Sequence, residues 1–195
     1  MPSGCLPADD PPTRVDARRN RRRLLDAATA LILEMGGQPS RDAVAQRAGV
    51  GIATLYRHFP DQQALLRAVV LDVLDQTIEQ GNVALAESAT GGEALRRYLH
   101  ASIDSGLGVV NIVHWLLDNA DWPDRRAQAR DVLDRLIEAA RNDGAIARDV
   151  TPTDIALASI RFCRPLAIGL DPSDERAIAH RQLNNHLDGL IRSDH

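Results

Sequence analysis

The sequence predicts an all-α protein in which a group of three N-terminal helices precedes a larger helical domain. Three observations support this fold class. Alanine and leucine dominate the composition while aromatic residues make up only 3% of the chain, a balance that favours helices. Apolar residues recur at helical spacing through most of the chain. The stretch Ser40–Phe59 has the pattern of two short helices joined by a tight turn.

The composition is that of a globular protein, with 44% apolar and 26% charged residues. No apolar run approaches the roughly 18 residues of a membrane span, so we expect no membrane association. The Pro-rich start, residues 1–13, lacks a signal-peptide pattern and is expected to be a disordered tail. Two cysteines, Cys5 and Cys163, do not make a disulfide framework. These features predict a soluble, cytoplasmic protein.

Charge is distributed unevenly along the chain. The net charge is −4, and all 23 basic residues are arginine. Ten arginines and five acidic residues lie between Arg14 and Arg67, a net charge of +5, which leaves −9 for the rest. A basic N-terminal third on an acidic body would contact phosphate groups with one end only.

The first helix is predicted from about Asp16 to Met35, with Gly36 and Gly37 ending it. Its start carries a cluster of arginines at the positive end of the helix dipole. Contact with phosphates at the edge of a duplex would relieve that crowding, whereas the simpler interpretation is a solvated helix start. The expected inward stripe of this helix is Leu24, Ala28, Leu31 and Met35.

The next two helices are short and closely spaced. Asp42–Ala48 is rich in small residues that permit close helix approach, and Ser40 is a good N-cap for it. The glycines of Gly49–Gly51 break the helix, because glycine adopts backbone conformations that other residues disfavour. Ile52–Phe59 then forms a second helix, which Pro60 ends.

The second of these helices has two different faces. Ile52, Leu55 and Phe59 fall on one side and would anchor the helix, while Thr54 and Arg57 fall on the other. A helix in the DNA major groove needs such a face, with small residues for close approach and donors for phosphates and base edges. From spacing alone, an ordinary helical hairpin within a bundle explains the pattern equally well.

A residue-specific motif runs through this helical pair. Its members are Ala45, Ala48, Gly49, Val50, Thr54, Leu55, Tyr56, His58 and Phe59. Written as AxxAGVxxxTLYxHF, the motif resembles the helix-turn-helix signature of the TetR/AcrR family of bacterial repressors. The resemblance covers about Arg18 to Val73, and the remainder matches in length, helical content and layout.

The resemblance implies a homodimeric transcriptional regulator, expected to be a repressor that a small-molecule effector releases from a palindromic operator. It implies a helix-turn-helix DNA-binding domain over residues 14–60. It also implies an effector-binding and dimerisation domain over residues 61–195. The two reading helices would enter successive major grooves about 34–36 Å apart. The predicted DNA-binding residues are Arg18, Arg19, Arg22, Ser40, Arg41, Ile52, Ala53, Thr54, Tyr56, Arg57 and His58.

Within this set, Thr54, Tyr56 and His58 are expected to contact the DNA backbone, with Ile52 and Arg57 near base edges. Ala53 is also near base edges, where its methyl would make an apolar contact. Two positions depart from the family pattern. Gln62 stands where a basic residue is common, and Gly51 replaces the usual serine at the start of the reading helix.

The second domain is predicted to begin with a fourth helix that Asp61 caps and that ends near Gln80, followed by a linker over Gly81–Gly92. Later helices are expected over Glu93–Ser105, Leu107–Asn119, Asp124–Asn142, Thr153–Ile168 and Ser173–Arg192. In the family the last two form a dimer interface, although their apolar stripes equally fit packing onto the protein's own body. The candidate effector-binding residues are Tyr98, His114, Trp115, Arg161 and Phe162, for which core packing is the alternative.

No enzyme site emerges from the sequence. His180 and His186 are six apart and poorly placed for a shared helix face, and Cys163 has no nearby histidine. We find no Gly-rich phosphate loop and no metal-ligand cluster, so no cofactor is predicted. Two other classes stay open at this stage: a regulator-derived protein-interaction module without DNA binding, and a helical-bundle ligand carrier or enzyme.

Overall fold

The structure is a computed structural model that describes residues 14–113, 116, 122–163 and 170–190. The regular elements of the described residues are helices, which confirms the all-α prediction. The expected tail over residues 1–13 lies outside the described residues. In chain order the helices are α1 Arg14–Met35, α2 Arg41–Ala48, α3 Ile52–His58, α4 Gln62–Glu87, α5 Gly91–Asp104, α6 Gly108–Val113, α7 Pro123–Asn142, α8 Pro152–Cys163 and α9 Pro172–Leu190.

One apolar core joins α1, α2 and α3 to the first half of α4 and to α6. Leu55 and Phe59 from the α3 segment are fully buried in it, as the helical-wheel pattern predicted. Val44 of α2 and Leu66 of α4 lie in the same core. The first three helices are therefore anchored on α4, and this packing fixes how α3 is presented to solvent.

A second apolar core lies between the second half of α4 and helices α5, α7, α8 and α9. Leu95 of α5 and Leu136 of α7 are fully buried in it, with Ile155 of α8. Leu183 and Leu187 of α9 are also fully buried here. These two leucines of the expected dimerisation stripe therefore pack onto the protein's own body.

Helix α4 is longer than the sequence predicted. A linker was expected over Gly81–Gly92, but α4 continues to Glu87, so that prediction is wrong over most of its length. Gly81 is buried within the helix. A Cβ atom at this position would lie only 2.2 Å from Val132 Cγ1 of α7, so a larger residue would not fit there. The glycine serves close packing of two helices and does not break the chain.

The inward face of α1 also differs in part from the expected stripe. Leu24 and Ala28 are buried as predicted, but Met35 is 58% exposed at the helix end. Ile32, one turn after Ala28, is the last buried residue on this face of the helix. The physical reason is that the helix leaves the core before its last residue.

Candidate nucleic-acid interface

The turn between α2 and α3 is built by local backbone chemistry. Ser40 caps α2 by accepting a hydrogen bond from the Ala43 amide at 3.2 Å, as predicted. Gly49 ends α2 with φ of 62°, in the left-handed region, and its amide donates to carbonyls of the last turn. Arg23 of α1 donates to the Gly49 carbonyl at 3.4 Å. The turn therefore sets the direction in which α3 leaves α2.

Helix α3 presents one face to solvent and buries the other. Leu55 is completely buried and Ile52 is half-buried against the first core. Ala53, Tyr56 and Arg57 are exposed on the other side. An apolar face holds the helix in place while small and polar side chains point outward, which is the arrangement that a helix needs to enter a DNA groove.

Arg57 lies along its own helix. Its Nη2 donates to Thr54 Oγ1 at 3.1 Å, and its Nε donates to the Ala53 carbonyl at 3.3 Å. The guanidinium is therefore held against the exposed face of α3. Both bonds are local, so the side chain can exchange them for an acceptor on a base edge or a phosphate without disturbing the core.

Arg41 and Tyr56 form a pair across the α2–α3 turn. The Arg41 guanidinium carbon lies 4.4 Å from the centre of the Tyr56 ring, within the range of a cation–π contact. Arg41 Nη1 also donates to the Pro60 carbonyl at 3.0 Å. Tyr56 is 43% exposed and keeps its outer edge in solvent. Sequence spacing did not indicate this pair.

His58 sits at the end of α3, half-buried among positive charges. Burial lowers the pKa of His58, and the guanidinium groups of Arg21 and Arg57 lower it further. The imidazole is therefore neutral at neutral pH and can either donate or accept a hydrogen bond. Arg21 itself lies over the buried Phe59 ring, with its guanidinium carbon 4.9 Å from the ring centre.

The predicted arginine cluster on α1 separates into two groups. Arg18 and Arg19 are exposed, and no ion pair holds them within the described part of the chain. Arg22 instead donates to both carboxylate oxygens of Asp72 on α4, at 2.7 and 2.9 Å, and also pairs with Asp26. Two carboxylates already compensate Arg22, so the geometry supports a structural role for it and leaves Arg18 and Arg19 as the phosphate candidates.

The start of α4 carries one of the departures from the family pattern. Asp61 caps the helix by accepting from the Ala64 amide at 2.7 Å, as predicted. Gln62 donates to the Pro39 carbonyl at 3.0 Å and so ties α4 to the segment before α2. The side-chain amide of Gln62 therefore faces the protein, and we do not count Gln62 among the residues that face DNA.

Three of the five candidate effector residues lie within the described residues, and two of these, Tyr98 and Phe162, belong to the second core or pack against it. His114 and Trp115 lie outside the described residues. Tyr98 is packed in the second core, where burial raises its pKa to about 12, and its ring faces Gly81. Arg161 is exposed on α8, while Phe162 is half-buried with its ring centre 5.5 Å from that of His186.

A polar network joins α5 to α9 beside the second core. The Nδ1 atoms of His100 and His180 lie 2.7 Å apart. His100 Nε2 is 2.8 Å from Asn184 Oδ1, which also accepts from Arg96, and His180 Nε2 is 3.1 Å from Asp104 Oδ1. Each outer nitrogen faces a side-chain oxygen, so the two histidines link Asn184 of α9 to Asp104 of α5. Both ring nitrogens of His100 therefore have partners in this network.

Other chemistry is sparse in the part of the chain that the structure describes. Cys163 is buried, and burial raises the pKa of its thiol to about 12, so it behaves as an inert apolar group. The described residues contain no group of three metal-ligating side chains. None of the described helices is long and apolar enough to cross a bilayer.

Comparisons with known proteins agree with this geometry. The family model for bacterial regulatory proteins of the tetR family matches residues 24–69, which contain α2 and α3. The crystal structure of the TetR transcriptional regulator SCO0520 from Streptomyces coelicolor is 30% identical to this chain, covers 89% of it and 99% of that protein, and has a TM-score of 0.65. The chain belongs to the TetR family.

A second TetR-family relative is the HTH-type transcriptional repressor LfrR of Mycolicibacterium smegmatis, 33% identical over 90 residues, which are 45% of this chain and 46% of LfrR. The chain thus spans less than half the length of the curated relatives that it matches. The crystal structure of LfrR from Mycobacterium smegmatis in complex with proflavine is 25% identical with a TM-score of 0.61, over 90% of this chain and 98% of that one. These relatives are named as transcriptional regulators, which confirms the resemblance to TetR-family transcriptional regulators that the sequence predicted.

Proposed function

We propose that this protein binds a palindromic DNA operator as a homodimer and represses transcription until a small-molecule effector releases it. The observation that carries the proposal is the division of α3, which buries Leu55 and exposes Ala53, Tyr56 and Arg57. Residues 14–60 would form the DNA-binding domain. Such a regulator works in the cytoplasm, where its operator lies.

The contacts that we propose follow from the side chains on this surface. Thr54, Tyr56 and His58 lie at positions suited to backbone phosphates, and Ser40 adds a hydroxyl at the start of α2. Arg57 is the candidate for a base edge. Arg18 and Arg19 add positive charge at the start of α1, where the exposed guanidinium groups would reach phosphates beside the groove.

Residues 61–195 would bind the effector and form the dimer. LfrR has been solved in complex with proflavine, and this relative supports a small-molecule effector for this protein. Leu157 of α8 supports a dimer contact through the last two helices, because this large apolar side chain is 59% exposed in the single chain. The effector must bind the DNA-competent and the released arrangements with different affinity, since otherwise it would shift nothing.

The experiment that tests this function compares two alanine-to-glutamate substitutions. Ala53→Glu places a negative charge on the exposed face of α3 in its first turn, whereas Ala127→Glu makes the same change on an exposed position of α7. We expect Ala53→Glu to lower affinity for the operator at least a hundredfold and Ala127→Glu to leave it within a factor of two. The operator duplex is selected from a random-sequence pool by the wild-type protein. Equal affinities for the two variants would contradict the proposal.

A further inference from the structure

We infer that Arg41 is a positioning residue, which holds the Tyr56 ring in place for DNA instead of contacting a phosphate itself. The inference rests on the proposed function, because it assigns a role within the same DNA-facing surface. Sequence reasoning placed Arg41 among the direct DNA contacts, since it follows the Ser40 cap and carries a charge.

Two contacts already engage the Arg41 guanidinium. Its carbon lies 4.4 Å from the centre of the Tyr56 ring, and its Nη1 donates to the Pro60 carbonyl at 3.0 Å. These partners belong to different segments, since Tyr56 is on α3 and Pro60 is in the connection to α4. Arg41 begins α2, so one half-buried side chain joins α2 and α3 to the start of the next helix.

Turning the Arg41 side chain outward to a phosphate would break its contact with the Tyr56 ring and its hydrogen bond to the Pro60 carbonyl. Arg18 and Arg19 have no such cost, because they are exposed and no ion pair holds them within the described residues. The Tyr56 phenol, by contrast, is 43% exposed and lies on the outward face of α3. A ring that is fixed before DNA arrives loses less conformational entropy on binding, so an arginine that fixes the ring strengthens binding through Tyr56.

A double-mutant cycle separates the two roles. Operator affinity is measured for the wild-type protein, Arg41→Gln, Tyr56→Ala and the double variant, using the duplex that the wild type selects from a random-sequence pool. We expect Arg41→Gln to weaken binding by about two- to fivefold when Tyr56 is present, as suits a partly exposed cation–π pair. In the Tyr56→Ala background the same change should have an effect below 1.5-fold, because the ring that Arg41 holds is gone.

The salt dependence gives a readout that a change in folding would not move in the same way. The slope of the logarithm of affinity against the logarithm of NaCl concentration should be unchanged in Arg41→Gln. A lost phosphate contact would reduce the slope by about 0.9. Circular dichroism and thermal unfolding of each variant show whether α2 and α3 remain folded.

Three results would overturn the inference. A reduced salt slope, with a loss that persists without Tyr56, would make Arg41 a phosphate contact. An unchanged slope, with a loss that persists without Tyr56, would make Arg41 a structural link to Pro60 only. Unchanged affinity of Tyr56→Ala would remove the residue through which Arg41 is said to act. If the wild-type protein selects no duplex, the proposed function itself fails, and that outcome is distinct from these three.

Discussion

Single residues on α3 are divided between holding the helix and facing outward. Leu55 carries no exposed surface, while Arg57 two positions later lies on the helix surface and bonds to Thr54. Because the two sets of side chains point to opposite sides, an outward residue can be changed without opening the core. Substitutions on the outer face should therefore alter DNA binding more than stability.

Arg57→Ala should reduce discrimination between the operator and other duplexes. A bidentate contact to a base edge is worth about 1–3 kcal/mol of discrimination, so we expect the ratio of operator affinity to scrambled-duplex affinity to fall by about tenfold or more. Fluorescence anisotropy with both duplexes measures this ratio. An equal loss on the two duplexes would instead assign Arg57 to a phosphate.

His58 should make the protein less stable in acid. Its pKa is lowered in the folded state, so between the folded value and the unfolded value of about 6.5 the unfolded chain binds more protons. The contribution of His58 to the free energy of unfolding is therefore fully present above pH 6.5 and is lost as the pH falls below that value. Urea unfolding at pH 7.5 and 5.5 should show a larger loss of unfolding free energy in the wild-type protein than in His58→Gln. A loss as large in His58→Gln would contradict this account.

The sequence predicted the outward and inward sets of α3 because helical periodicity fixes them. It did not predict the partners of the arginines. Arg22 meets Asp72, fifty positions away, and Arg41 meets Tyr56 only because the turn at Gly49 brings α2 and α3 together. Such contacts depend on how helices are packed, and a pattern within one helix carries no information about them.

Among the helices, α4 links the two apolar cores, and its packing on α7 depends on one small residue. A Cβ atom on Gly81 would lie 2.2 Å from Val132 Cγ1 and 3.2 Å from the Tyr98 ring. This close approach could not be predicted from the sequence, because a glycine between helical segments has the same pattern whether it ends a helix or lets another helix come near. The expected linker was misplaced for that reason.

Gly81→Ala should destabilise the fold by about 1–3 kcal/mol, the usual cost of adding a methyl group to a packed contact. Removing the opposing methyl groups in the double variant Gly81→Ala/Val132→Ala should recover part of the loss relative to the sum of the two single changes. Glu79→Ala, an exposed change on the same helix, should stay within about 0.5 kcal/mol of the wild type. Urea unfolding measures the wild type and the four variants, Val132→Ala included. A neutral Gly81→Ala would show that α4 and α7 are further apart than described.

At the scale of the whole molecule, the N-terminal segment that contains α3 is basic and the rest of the chain is acidic. The net charge of +5 between Arg14 and Arg67, against −9 elsewhere, orients the protein toward DNA by that end. A palindromic operator also needs two copies with a fixed spacing, which a single chain does not supply. The dimer contact that we propose therefore matters to function as directly as α3.

Leu157→Glu should weaken the dimer. The leucine is 59% exposed on α8, so a carboxylate there is well solvated in the single chain but is desolvated when a second copy covers it. Sedimentation equilibrium should show a dissociation constant raised by about tenfold or more, with Ala127→Glu unchanged as the matched control. Thermal unfolding should show both variants folded. Dimers of equal stability would place the contact elsewhere.

The most direct test of the central claim, that the outer face of α3 reads a DNA duplex, is a hydroxyl-radical footprint of the full chain on its selected operator. We predict two protected patches on one face of the duplex, about one helical turn of 34–36 Å apart. Ala53→Glu should abolish both patches and Ala127→Glu should preserve them. The claim would be contradicted if the wild-type protein protected no defined site at low salt, or if Ala53→Glu gave the wild-type footprint.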